Sequence, residues 1–200
     1  MQLFLSKDYS KVNLLNLLFS LIPVSFIAGN LVLNLNILLF ILFGFIFYGK
    51  DILRSNFDFL DKLIFFYFAY LLFTGFYNNI NNYFFSDFPF EDPSVMIKSV
   101  LYQRYLLLYL VIKFMIEKNI LKFKPFFISS AFFSIFVCFD LFYQFNFGQD
   151  IFGYEIKHRK LSGPFGDELI AGSYLQRFAL FFLFIPIFFE TNRKLILKIG

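Results

Sequence analysis

Tryptophan is missing from these 200 residues, cysteine and histidine occur once each, and charged residues make up only 16%. A single cysteine, Cys138, can form no internal disulfide, and with His158 as the lone histidine the sequence lacks the ligands for a zinc site. Cys138 lies within an apolar run and is expected to be a packing residue. The scarcity of charge, against about 25% in soluble domains, excludes a soluble globular protein. There is no internal repeat, no heptad run and no low-complexity linker. What the chain has in quantity is apolar surface: 59% of residues are hydrophobic and 37 are phenylalanine. We read the phenylalanine excess as compositional drift suited to lipid exposure rather than as an aromatic binding platform. The net charge of +4 comes from basic residues spread among short loops, where they act as topology signals and not as a nucleic-acid surface.

The apolar runs predict an all-α fold, a polytopic transmembrane helix bundle of about six spans in a single domain covering residues 1–200. The spans are expected at 12–28, 31–48, 63–77, 96–116, 125–147 and 169–189. Met1–Lys11 reads as a short polar leader. The first run is not a cleaved signal, because Phe26 and Ile27 occupy the positions where small residues are needed. Pro23 within it is tolerable where neighbouring helices satisfy the freed carbonyl. Asn34 and Asn36 in the second span read as helix–helix hydrogen bonders. Residues 49–62 are dense in charge and read as a loop, as does the Asn-rich, then acidic stretch 78–94 with Pro89 and Pro93.

Basic residues alternate between loops. Lys7 and Lys11, then Lys50, Arg54 and Lys62, then Lys118, Lys122 and Lys124, then Arg193, Lys194 and Lys198 fall on one side. The positive-inside rule puts that side, with both termini, in the cytoplasm. The opposite side has Lys98 and the cluster Lys157, Arg159, Lys160, so one external loop breaks the rule. Basic residues kept there imply either an anionic partner or a solvated charge run.

That loop is the polar centre of the chain, His158-Arg-Lys-Leu-Ser-Gly-Pro-Phe-Gly-Asp-Glu168. Pro164 and its flanking glycines forbid a continuing helix, and Asp167 and Glu168 stand where helix-capping carboxylates would sit. Within the membrane, Arg104, Asp140 and Arg177 reach a similar depth, roughly 10–14 Å below the external boundary at 1.5 Å per residue. Gln144 lies one turn from Asp140, and Ser173 one turn from Arg177. Charges at that depth are costly and should face one another or a wet cavity. Arg104 and Asp140 are therefore expected to be neighbours. The set reads either as an Arg–Asp pair pinning two helices, or as a net positive outward pocket whose guanidinium groups match phosphate.

The segment Asp140, Gln144, Gly148, Gly153, Arg159-Lys-Leu-Ser-Gly163, Phe165-Gly-Asp-Glu168 and Ala171-Gly-Ser-Tyr174 resembles the O-antigen ligase and O-antigen polymerase family of bacterial inner-membrane proteins. The close match covers about a fifth of the chain. The resemblance implies metal-independent transfer, without a cofactor, of an undecaprenyl-pyrophosphate-linked glycan to an acceptor on the periplasmic face. Its partners would be a lipid-linked oligosaccharide, a lipid A-core or growing glycan acceptor, and membrane lipids. It implies pyrophosphate contacts from Arg159, Arg177 and Arg104, with Asp140, Gln144, Ser162, Gly163 and Gly166 in support. His158, Asp167 and Glu168 are the candidate bases, although a loop histidine can equally be solvated and the carboxylates can be caps. Family members are longer and carry catalytic residues in a later periplasmic loop, which implies that this chain is an incomplete copy. The competing reading is a non-catalytic or truncated membrane protein that binds the same anionic lipid-linked glycan.

Overall fold

A computed structural model of the chain describes residues 2–85, 94–156 and 160–184. The fold is all-α: α1 Gln2–Ser20, α2 Ile22–Ile27, α3 Asn30–Leu53, α4 Phe59–Phe85, α5 Ser94–Glu117, α6 Phe123–Phe147 and α7 Ala171–Phe178, with 3-10 turns at Gly163–Phe165 and Ala179–Phe184. Among the described residues no strand forms, only an isolated bridge between Gln149 and Glu155. Four helices are long and apolar enough to cross a membrane: Asn30–Leu53, Phe59–Ile80, Val95–Glu117 and Phe123–Phe147.

Several boundaries differ from the sequence expectation. The leader is helical from Gln2, and the first apolar run is broken into α1 and α2 at Leu21, because Pro23 can open a helix but not continue one. Charge did not stop the second and third runs: α3 continues through Lys50 and Asp51, and α4 already includes Asp61 and Lys62. Residues 78–85, expected in a loop, extend α4. The final run opens with the eight-residue α7 and a 3-10 turn instead of an uninterrupted span. Pro186, Arg193, Lys194 and Lys198 lie outside the described residues.

The chain divides into two compact units, Met1–Phe40 with Leu121–Gly200, and Ile41–Ile120. In the first, α6 is central and packs against α1, α2 and α7. Its buried stripe is Phe126, Ser130, Ala131, Ser134, Val137, Asp140 and Gln144, whereas Phe132, Ile135, Phe139, Phe142 and Phe145 are exposed. A helix that turns small and polar residues inward and phenylalanines outward has the sidedness of a lipid-solvated helix, not of a water-solvated one. Cys138 is exposed on this helix rather than packed, a correction to the expectation drawn from its apolar neighbours.

Phe19 of α1 anchors the other end of α6 through Phe126, with ring centroids 4.6 Å apart, and Asn16 Oδ1 accepts the Lys122 N–H at 2.6 Å just before α6 begins. Beside the α1–α2 break, Asn36 Nδ2 donates to the Leu18 carbonyl and to Ser25 Oγ, both at 3.1 Å. Asn36 is thus the interhelical hydrogen bonder that its position in an apolar run implied.

In the second unit, α4 and α5 run antiparallel, as successive pairs show: Asp61 with Lys113, the Phe68 carbonyl with Gln103, and Asn79 with Met96. Asp61 is buried and accepts from the Lys113 ammonium, the Tyr109 hydroxyl and the Asp58 N–H. Lys113 also reaches the Asn56 carbonyl at 2.8 Å and Glu117 at 3.3 Å. This network closes one end of the helix pair.

Candidate functional site

The last two turns of α6 set the geometry. Asp140 and Gln144 sit on the inward stripe one turn apart, and both are 0% exposed, so each must find polar partners inside the protein. The helix ends where Gly148 adopts a left-handed conformation, φ 80°, and returns its N–H to the Gln144 carbonyl. The chain then reverses tightly through Gln149–Glu155. Asp150 organises that reversal, accepting the Tyr154 N–H on Oδ1 at 2.6 Å and donating its own N–H to the Tyr154 carbonyl at 3.0 Å. Asp140 Oδ1 accepts the Ile151 N–H at 2.8 Å and holds the turn against α6. Asp140 Oδ2 and Asp150 Oδ2 are buried without a hydrogen-bond partner.

Gln144 joins this turn to the glycine-rich loop. Its Oε1 accepts the N–H groups of Ser162 and Gly163 at 3.0 and 2.9 Å, and its Nε2 donates to the Tyr154 carbonyl and Ser162 Oγ, both at 3.2 Å. One amide thereby satisfies four groups drawn from two loops. The loop can approach only because two positions lack a side chain. At Gly163, φ 58°, a Cβ would lie 3.2 Å from Leu141 Cδ2, and at Gly166, φ 61°, it would lie 3.2 Å from the Tyr154 ring. Beyond the 3-10 turn, Phe165 stacks into a cluster with Phe26 and Tyr174, at centroid separations of 6.5 and 5.5 Å, and Phe178 closes on Tyr174 at 4.8 Å.

These pieces enclose one side of an open groove of about 640 Å³. Its walls are the end of α2 and the Gly29-Asn30 turn, the aromatic rings of Phe26, Phe152, Tyr154 and Phe165, and the carboxylates of Asp167 and Glu168. The charged residues in this lining are both acidic. Arg177, exposed on α7, lies against the same wall with its guanidinium carbon 5.3 Å from the Phe26 ring centroid.

Most of the residues singled out in the sequence therefore come together here: Asp140, Gln144, Ser162, Gly163 and Gly166 as framework, Asp167 and Glu168 in the groove, and Arg177 beside it. His158 and Arg159 lie outside the described residues. Arg104 belongs to the other unit, where it donates to the Tyr105 hydroxyl at 3.1 Å and covers the Tyr105 ring. The hydrogen bond recorded for Asp140 comes from a backbone amide, not from a guanidinium. Asp167 and Glu168 do not cap α7, which begins at Ala171 with Ile170 at its N-cap. Both are exposed. Among the described residues, no group of three metal-ligating side chains converges.

Sequence reasoning missed Asp150, Tyr154 and Phe26. The first had a readable signal, since Asp150-Ile-Phe-Gly153 is a turn sequence with Asp first and Gly fourth. Phe26 had none, because it is one phenylalanine among many and reaches the site only through the α1–α2 break. No family model, curated protein or solved structure matches the chain.

Proposed function

We propose that this chain transfers a glycan from an undecaprenyl-pyrophosphate carrier to an acceptor hydroxyl at the periplasmic face of a bacterial inner membrane, as in O-antigen ligases and polymerases. The observation that supports this reading is the clustering of the resembling residues. Asp140, Gln144, Gly148, Gly153, Ser162, Gly163 and Tyr174, scattered over 35 positions, build one hydrogen-bonded and packed piece beside a groove of ligand size. The alternation of basic loops supports cytoplasmic termini and a periplasmic site.

The chemistry follows from the side chains at hand. The bond between the sugar's anomeric carbon and the pyrophosphate oxygen breaks, a new bond forms to the acceptor oxygen, and the acceptor proton passes to Glu168. Arg177, joined by Arg159, pairs with the departing diphosphate through two parallel N–H donors, a geometry that lysine cannot reproduce. The acceptor is a lipid A-core or a growing glycan, and the reaction requires no metal.

The test is transfer in membranes containing Arg177→Lys, Arg177→Ala and Glu168→Gln at matched abundance. Lysine should lose most of the activity and alanine more, roughly tenfold or beyond for loss of a charged partner. Glu168→Gln should abolish turnover while leaving carrier binding intact. Full transfer by Arg177→Ala would refute the assignment. Carrier binding without transfer in the parent chain would establish the non-catalytic alternative.

A further inference from the structure

We infer that the groove between α2 and the Phe165–Glu168 segment holds a sugar residue of the glycan and selects neutral or amino sugars against acidic ones. The inference rests on the function proposed above and adds a substrate class to it. Three features of the groove carry it.

The first is shape and surface. Phe26, Phe152, Tyr154 and Phe165 line a single open groove, and Phe152 and Tyr154 remain 61% and 48% exposed. Exposed rings on a rigid turn present flat faces to the C–H faces of a pyranose, whose other edges carry hydroxyls. The turn is held by its own hydrogen bonds, between Asp150 and Tyr154 and from Ile151 to Asp140, so those rings are pre-positioned rather than ordered on binding.

The second is charge. Asp167 and Glu168 are the charged groups of the lining, and both are anionic. Carboxylates accept short, charge-assisted hydrogen bonds from hydroxyls or ammonium groups. They repel a uronate or any other carboxylated sugar, and such repulsion is a means of specificity in its own right. The same lining argues against placing the diphosphate inside the groove.

The third is the position of Arg177. It covers the Phe26 ring, and Phe26 also lines the groove. A cation on one side of that ring system and two carboxylates on another separate the two parts of the donor. The diphosphate falls to Arg177 and the attached sugar to the groove.

The experiment uses the full chain in detergent micelles and two probes that differ only at C6, methyl β-glucoside and methyl β-glucuronide, read by saturation-transfer NMR. The glucoside should receive saturation on its ring protons, and Phe152→Ala should reduce it by half or more. The glucuronide should receive roughly fivefold less, and Asp167→Asn with Glu168→Gln should bring it within about twofold of the glucoside. Both carboxylates are exposed, so these variants do not disturb packing. Equal or stronger saturation of the glucuronide in the parent chain overturns the inference, as does glucoside saturation no greater than in protein-free micelles. Binding of bare polyprenyl pyrophosphate, and its dependence on Arg177, is measured separately. Its loss with the sugar preference intact would remove the proposed transfer and leave the sugar groove standing, and the converse result would do the opposite.

Discussion

Gln144→Leu isolates the join on which the candidate site depends. Leucine keeps the volume in the α6 stripe but removes all four side-chain hydrogen bonds. The Ser162 and Gly163 N–H groups then remain in a buried segment with no acceptor. Each stranded donor costs about 1–3 kcal/mol, so the pair costs roughly 2–6 kcal/mol. The Tyr154 carbonyl belongs to an exposed residue and can turn to water, so it adds little. At about 1.4 kcal/mol per factor of ten, the opened loop should become more populated by roughly 30-fold to more than 10⁴-fold. The change should be local, because the α4–α5 pair shares none of these bonds. Hydrogen exchange followed by mass spectrometry reports it directly: peptides covering 149–156 and 160–166 should lose protection, while those of α4 and α5 should not. Asn146→Ala, two residues along but exposed and bonded only to the Phe142 carbonyl, should change exchange by less than about twofold. If Gln144→Leu leaves the 160–166 peptide within twofold of the parent, the amide is not the join, and the framework described here is wrong.

Two further outcomes are expected. Gly166→Ala forces a side chain into a positive-φ position against the Tyr154 ring and should destabilise by about 1–2 kcal/mol or more, whereas Gly172→Ala, helical and with open space around it, should be neutral or stabilise by up to about 0.5–1 kcal/mol; thermal unfolding in detergent should rank them in opposite directions. In the second unit, Asp61→Leu strands the Lys113 charge and the Tyr109 hydroxyl and should lower the melting temperature clearly, while Asp61→Leu with Lys113→Met should recover most of the loss; equal melting temperatures for the single and double variants would show that the pair carries no coupling.

The hydropathy of the chain made the all-α class and the long apolar helices legible, because twenty or so apolar residues admit few other solutions. Charge was a poor guide to their ends. Asp61 and Lys113 looked like loop markers, yet each neutralises the other across two helices, and a pairing between positions 52 residues apart leaves no local trace. The site framework was partly legible for a similar reason. Gln144 and the Ser162-Gly163 pair stood out as polar or flexible residues among phenylalanines, and polar groups at such depth must find one another. The aromatic wall was not legible: with 37 phenylalanines, neither period nor exception distinguishes Phe26 from its neighbours. The inward stripe of α6 was hidden for the opposite reason, since its hydrophobicity is nearly uniform around the helix and the two faces differ only in residue size and polarity.

The break at Leu21 and its bond to Asn36 bear on how the protein is made. Pro23 denies α1 its continuation, and the Leu18 carbonyl beside the break takes its hydrogen bond from an asparagine eighteen residues later. Either segment alone in hydrocarbon would expose an unsatisfied polar group, and each such group costs several kcal/mol there. Together they satisfy one another. During synthesis the two segments should therefore leave the insertion channel for lipid as a hairpin and not one after the other, with the Gly29-Asn30 turn as the bend about which they fold.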